Sequence, residues 1–467
     1  MRRIRALWIA IVALLVVLGG LALAYYGFMA YVRRAMSSPA AARMARSDPR
    51  VRAAEAAIQA ELQRIRAAGQ PVTAREIAPP PVPDAENAAL LYQKAFDAPR
   101  LPVKDVDALD SLIRNAPGPE RDRSVVPVRA VLARNKGVLE LAYQAARRPR
   151  CRFPVKWEDG AAALFPHPSR LRDLSRLVAA QAVLCSLDGE AREALQWVWV
   201  GIAMGDALAD EPAQLSQVYR YRLYAGALDA LQASLGAGRV PSDLGKPIYD
   251  HLASVQIMGP LKRGLIGDRA GAVTTYQVAQ SKPEYLGIKL NGAQKTILPP
   301  VWTVDAAEWL PLMGERIALV DEPYRAAKAQ LAPLDARAQK LAKDAGDADP
   351  VVAMVIFSSV GGWATHLWQE RDICQARIGL AEAALALKAY QAQHGAYPDS
   401  LKTLRSAVGW KIPQDPFSGR DFVYKRQGAG AVIYSIGPNL RDDRGVPLRL
   451  RSVQSREYLG DIVWRLP

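Results

Sequence analysis

Few residues in this chain are of types that carry out catalysis, and their spacing does not form an established catalytic motif. Glu158 and Asp159 are adjacent carboxylates in "KWEDG", and they would need a further partner for acid–base work. The sequence holds four histidines and contains no HExxH, GxSxG or GxxxxGK[ST] pattern. A hydrolase would therefore need a deep pocket that gathers His167, Glu158 and Asp159. The pattern favours a structural or surface role for these side chains.

The cysteines and the basic residues also exclude several classes of protein. Three single cysteines without CxxC spacing, Cys151, Cys185 and Cys374, exclude a disulfide framework and a zinc knuckle. The net charge of +15 comes mostly from scattered arginines, and one cluster stands out at positions 147, 148, 150 and 152. This cluster is either a solvated loop or a contact for phosphate or anionic lipid. Because no aromatic-interleaved basic stripe accompanies it, we do not expect nucleic-acid binding.

The N-terminal segment predicts a membrane anchor that contacts the lipid bilayer through Ala6–Val32. This stretch carries no charge and, as a helix, spans roughly 40 Å, which is enough to cross a bilayer with tilt. Arginines flank it on both sides, and tyrosines near its end are typical of the headgroup boundary. The alternative is a signal peptide cleaved after Ala24. The apolar run continues beyond Ala24, so an uncleaved anchor is favoured, with residues 1–36 as cytoplasmic tip and membrane helix.

Helical periodicity dominates the chain after the anchor. Residues 37–84 read as a short amphipathic helix ending at Gly69, followed by the Pro-rich spacer "APPPVPD". Residues 85–346 read as an α-helical domain, in which three apolar stripes follow one another: Leu171 to Cys185, Ala194 to Leu208 and Val218 to Leu235. Short turns between them predict antiparallel packing. The stretch "LDGEAREALQWVWVGIAMGDAL" resembles a tetratricopeptide-type helix pair, and a non-repetitive helical domain is the alternative.

Residues 347–467 change from helical periodicity to turns and strands. A helix stripe runs from Ile373 to Tyr390 and ends at His394-Gly395, and a short helix follows with Asp399 or Ser400 as its cap. Alternating aromatic residues in "PQDPFSGRDFVY" and "VIYS", separated by glycines, predict a small antiparallel sheet.

These motifs resemble the globular domain of the major pseudopilins of type II secretion systems. The resemblance covers about the last hundred residues, through "AYQAQHGAYPDSL", "IPQDPFSGRDFVY" and "VIYSIGPN" in that order. The whole chain is similar to uncharacterised bacterial membrane proteins with a helical middle and such a tail. The N-terminus departs from a pseudopilin, because it lacks the processing site and the early glutamate of that family. The resemblance therefore implies a shared fold and not a processed pilus subunit.

The resemblance also implies a calcium site. In pseudopilins the loop after the Tyr-Ser-x-Gly strand end binds calcium, and the matching loop here, "GPNLRDDRG", offers Asn439, Asp442 and Asp443. Calcium prefers six to eight oxygen ligands, so Asp421 or Asp461 would have to contribute. The alternative is a surface turn in which the loop arginines neutralise these carboxylates. No other cofactor is expected.

Taken together, the sequence predicts a mainly α-helical protein with an N-terminal transmembrane helix and a small α/β tail. We expect a single-pass protein of the bacterial inner membrane, with most of the chain outside the cytoplasm and a protein partner bound by the helical domain. A cytoplasm-facing protein, a secretion or pilus-assembly component and an envelope hydrolase are the alternatives. The partner, the oligomeric state and any reaction cannot be read from these residues.

Overall fold

The structure, a computed structural model, describes residues 47–115, 122–237, 241–282, 292–348, 364–452 and 457–467. These residues are mainly helical, with a small antiparallel sheet on the C-terminal side, as the sequence predicts. A short 3₁₀ helix spans Trp157–Ala162. The α-helices are α1 Pro49–Ala67, α2 Ala74–Ile77, α3 Ala89–Phe96, α4 Val103–Asn115, α5 Asp122–Arg134, α6 Lys136–Ala145, α7 His167–Leu187, α8 Ala191–Asp206, α9 Gln214–Ala237, α10 Ser242–Ser254, α11 Met258–Ser281, α12 Gly292–Ala318, α13 Tyr324–Ala348, α14 Ala364–His394 and α15 Leu401–Val408.

The three predicted stripes form α7, α8 and α9, which pack against one another in the main core. Leu171, Met204 and Leu231 are fully buried members of that core. The turn from α7 to α8 passes through Gly189 at φ 81°, a left-handed conformation that glycine adopts without a Cβ penalty. The apolar spacing in the sequence therefore identifies the faces that these helices bury.

The predicted amphipathic helix after the anchor is confirmed as α1. Asp48 caps it by accepting a hydrogen bond from the Arg50 backbone N–H at 2.8 Å. Its apolar face, with Ile58 and Leu62, joins side chains of α11, α12 and α13 in a second core. The Pro-rich segment that follows α2 has no regular secondary structure and is largely exposed.

The C-terminal part has the predicted order of elements. α14 ends before Gly395 at φ 77°, and the Ser400 hydroxyl accepts the Thr403 N–H at 3.1 Å at the start of α15. Strands β1 Val423–Gln427 and β2 Gly430–Ser435 pair antiparallel around a turn that contains Gly428.

A strand without a sequence prediction completes the sheet. The strands β3 Arg449–Leu450 and β4 Tyr458–Leu459 form a separate two-stranded ladder, and β5 Ile462–Leu466 pairs antiparallel with β2. The main sheet therefore has the order β1-β2-β5. It packs on α9 and α14, and α14 also contacts α10 and α13. One core thus contains side chains from both the helical segment and the tail.

The predicted membrane anchor, Ala6–Val32, lies outside the described residues. Within the described ranges, we find no helix that combines the length and the apolar character needed to cross a bilayer.

Candidate functional site

The loop predicted to bind calcium is organised around a buried aspartate. Asp461, between β4 and β5, is fully buried and accepts backbone N–H groups of Asp443 at 3.1 Å and Gly445 at 2.6 Å. The Asp443 carboxylate in turn accepts from the Asn439 side-chain amide at 2.7 Å and from the Gly460 N–H at 3.0 Å. The structure therefore brings Asn439 and Asp443 together with Asp461.

Asp442 has different hydrogen-bond partners from these three residues. Its carboxylate accepts the Tyr434 hydroxyl at 3.0 Å and the Arg444 N–H at 2.8 Å. Burial, with a contribution from the charges of Asp442 and Asp443, raises the pKa of Asp461. In the described part of the chain, no group of three or more His, Cys, Asp or Glu side chains is arranged to hold a metal ion. Calcium binding by Asn439, Asp442 and Asp443 stays a prediction.

The carboxylates proposed for a hydrolase do not bond to His167. Instead, His167 is buried at the start of α7, and its Nε2 lies 2.8 Å from Glu211 Oε1. The Ser216 hydroxyl donates to the same carboxylate at 2.6 Å, and Phe153 stacks on the imidazole with ring centroids 4.1 Å apart. Glu158, by contrast, is exposed on the 3₁₀ helix. The cluster joins the start of α7 to the α8–α9 turn, which is a structural role.

Two arginines of the basic cluster contact the chain at and after the end of the Pro-rich spacer. Arg148 donates to the Asp84 carbonyl at 3.3 Å, and Arg150 lies 3.6 Å from the Glu86 carboxylate. These contacts fasten the segment after the Pro-rich spacer to the end of α6.

The three cysteines are free thiols, and burial raises the pKa of Cys185 to about 11 and that of Cys374 to about 12.

A groove that the sequence did not reveal opens between α6, α8 and α10. We call it the Trp199 groove; it has a volume of about 310 Å³ and a mainly apolar surface. Trp199 is 36% exposed, which is unusual for so large an apolar side chain. The groove is lined by Tyr143, Ala146, Arg147, Leu195, Gln196, Trp199, Val200, Leu244, Pro247 and Ile248.

The rim of the Trp199 groove carries positive charge. The Arg147 guanidinium lies over the Tyr143 ring, 5.0 Å from its centroid, and pairs with no carboxylate in the described residues. On the other side, the Trp199 ring lies 4.9 Å from that of His251. The hydrogen bond from His251 Nε2 to Asp206 Oδ2, at 2.8 Å, raises the pKa of the imidazole.

One sequence signal points to the groove. The buried stripe of α8 runs through Ala194, Val198 and Met204, and Trp199 lies outside it. A tryptophan on the polar side of an amphipathic helix indicates contact with something other than the core. The other walls come from α6 and α10, and their approach depends on tertiary packing.

Comparison with known proteins gives no relative, since this chain matches no family model, no curated protein and no solved structure. The resemblance to pseudopilins stays a prediction from the sequence.

Proposed function

We propose that this protein is a membrane-anchored interaction protein of the bacterial envelope and that it docks a partner protein in the Trp199 groove. The observation that carries the proposal is an apolar groove whose rim presents Trp199, Tyr143 and Arg147 to solvent. Tryptophan, tyrosine and arginine are the residues most enriched among binding hot spots. The predicted anchor at Ala6–Val32 would hold this groove near the bilayer.

The charge and size of the groove indicate what part of a partner it would accept. A volume of about 310 Å³ is at the small end for ligand pockets, and it suits one or two bulky side chains. In the part of the chain that the structure describes, no carboxylate lines it, while Arg147 offers a guanidinium whose stacking on Tyr143 restricts its motion. We therefore expect a partner segment with a bulky apolar side chain next to an aspartate or glutamate.

Peptide selection tests this proposal without knowledge of the partner. Random peptides would be displayed against the purified full chain in amphipol, with counter-selection on Trp199→Ala. We expect enrichment of a bulky apolar residue beside an acidic one, and about 30-fold weaker binding to Trp199→Ala.

A charge comparison sharpens the same test. Replacing the acidic residue of a selected peptide by its amide should weaken binding about tenfold to wild type and very little to Arg147→Gln. Leu164→Ala, at an exposed loop position away from the groove, is the matched control and should bind like wild type. Loss of every enriched peptide in the counter-selection on Trp199→Ala, or enrichment of peptides without an acidic residue, would refute the proposal.

The envelope location has a test of its own. A tag on the C-terminal side should be digested by protease in intact spheroplasts if most of the chain lies outside the cytoplasm. Protection until the membrane is opened would place the chain inside the cell. An association with type II secretion or pilus-assembly subunits stays a prediction from the resemblance.

A further inference from the structure

We infer that a second cavity, between the helical part and the sheet, is a binding site for a small organic anion with an apolar body. This sheet cavity lies where the C-terminal ends of α7 and α9 meet the β1–β2 hairpin and β5. Its volume is about 600 Å³, well within the range of small-molecule pockets. It shares no residue with the Trp199 groove, so the inference is independent of the proposed function.

Most of the cavity wall is apolar. Val183 and Leu187 come from α7, Ala233 from α9, and Val432 and Leu466 from the sheet. A wall of this kind favours an alkyl or ring system over a fully polar ligand, because burying apolar ligand surface contributes about 25 cal/mol per Å².

Three side chains that can form hydrogen bonds, and that have no partner within the described ranges, face the same space. Ser186 is only 6% exposed, yet its hydroxyl forms no hydrogen bond with any part of the protein that the structure describes. The side-chain amides of Gln232 and Gln427 line the cavity and likewise have no partner among those residues. The Ser186 hydroxyl is not among the buried polar atoms that lack a partner, so solvent reaches it in the cavity, and a polar group of a ligand would replace water there.

The positive charge of Arg465 in the cavity lining favours an anionic ligand. Arg465 lies at the cavity and donates to the Gly445 carbonyl at 3.2 Å, which leaves its charge without a counter-ion in the described ranges. Among the residues that the structure describes, no aspartate or glutamate lines the cavity. A guanidinium binds carboxylate and phosphate groups well because its donors form a planar fork. The ligand class is thus an acyl-type carboxylate or phosphate with its head at Arg465 and its chain along Ala233 and Val432.

Photoaffinity labelling tests the site on the full chain in amphipol. The probe is decanoate with a diazirine on its chain, and mass spectrometry locates the labelled peptides. We expect labels on the end of α7 and on β2, with competition by unlabelled decanoate. Arg465→Gln, at an exposed side chain, should weaken half-maximal labelling at least about fivefold, and Ala233→Phe should abolish labelling by filling the cavity. Arg114→Gln, at an exposed side chain of α4 that lines neither the sheet cavity nor the Trp199 groove, is the control and should label like wild type.

Two outcomes would overturn the inference. One is labelling that neither Arg465→Gln nor Ala233→Phe reduces, because the probe would then bind elsewhere. The other is competition by neutral decanol equal to that by decanoate, since the charge of Arg465 would then play no part. Competition by a lysophosphatidate stronger than by decanoate would support the site and identify a membrane lipid as the source, whereas the reverse order would indicate a free carboxylate.

Discussion

Replacing Glu382 should make the protein more stable at alkaline pH. Glu382 lies in α14 and is only 7% exposed, and it forms no hydrogen bond or ion pair in the described residues. Burial raises the pKa of its carboxyl group from 4.5 to about 7. Its charge also contributes, after burial, to the raised pKa of Tyr249 on α10, which places the two groups near each other.

The sign and size of the effect follow from proton linkage. Below about pH 4 the carboxyl is protonated in both the folded and the unfolded chain, and it adds no pH dependence. As the pH rises from 4.5 to 7 the unfolded chain releases this proton first, so the free energy of unfolding falls. A difference of about 2.5 pKa units corresponds to about 3 kcal/mol of stability lost above pH 8.

Urea titrations followed by circular dichroism would measure this loss. We expect Glu382→Gln to exceed wild type by about 3 kcal/mol in unfolding free energy near pH 8.5 and to match it near pH 4. Other groups with a raised pKa, such as Asp268 at about 7, are common to both proteins and cancel in the difference. Glu140→Gln, at an exposed position of α6, should show no such difference. A gain for Glu382→Gln that is the same at both pH values would refute the reasoning.

Three further predictions concern other polar groups. Glu211→Ala should lower the unfolding free energy by about 3 kcal/mol, and adding His167→Ala should lower it by less than the sum of the single changes in a double-mutant cycle. His251→Gln should destabilise the protein near pH 5.5 and much less near pH 9. The raised pKa of His251 in the folded protein gives stability that is present below pH 6.5 and is lost as the pH rises through that folded-state pKa. Equal losses of unfolding free energy at both pH values would contradict the role of Asp206. If the loop binds calcium, millimolar calcium should raise the thermal midpoint of wild type but not of Asp443→Asn, and an unchanged wild-type midpoint would exclude the site.

Local patterns predicted the elements whose signals lie within one segment. The stripes of α7, α8 and α9, the end of α14 at Gly395 and the capping hydroxyl of Ser400 all follow from residues close together in the sequence. By contrast, the strand conformation of β5 depends on its pairing with β2, from which the β3–β4 ladder separates it in the sequence. A short segment carries no information about such a distant partner.

The sites were harder to predict than the elements because each depends on distant residues. The sequence favoured a structural or surface role for Glu158 and Asp159, but it could not identify the partner of His167, which is Glu211, 44 positions further along the chain. The Trp199 groove and the sheet cavity likewise form only where separate helices or strands meet. Trp199 could have been noticed from its position outside the α8 stripe, whereas Ser186 looks like an ordinary helical serine.

The packing of α1 has a mechanical consequence. A helix of 19 residues is about 28 Å long and stiff, and one face of α1 packs against α12 in a core that α11 and α13 also line. A pull or a tilt applied at Asp48 would therefore be transmitted to the second core, whereas a flexible tether would absorb it. A force that arrives from the side of the predicted anchor would then enter the folded part of the protein through α1.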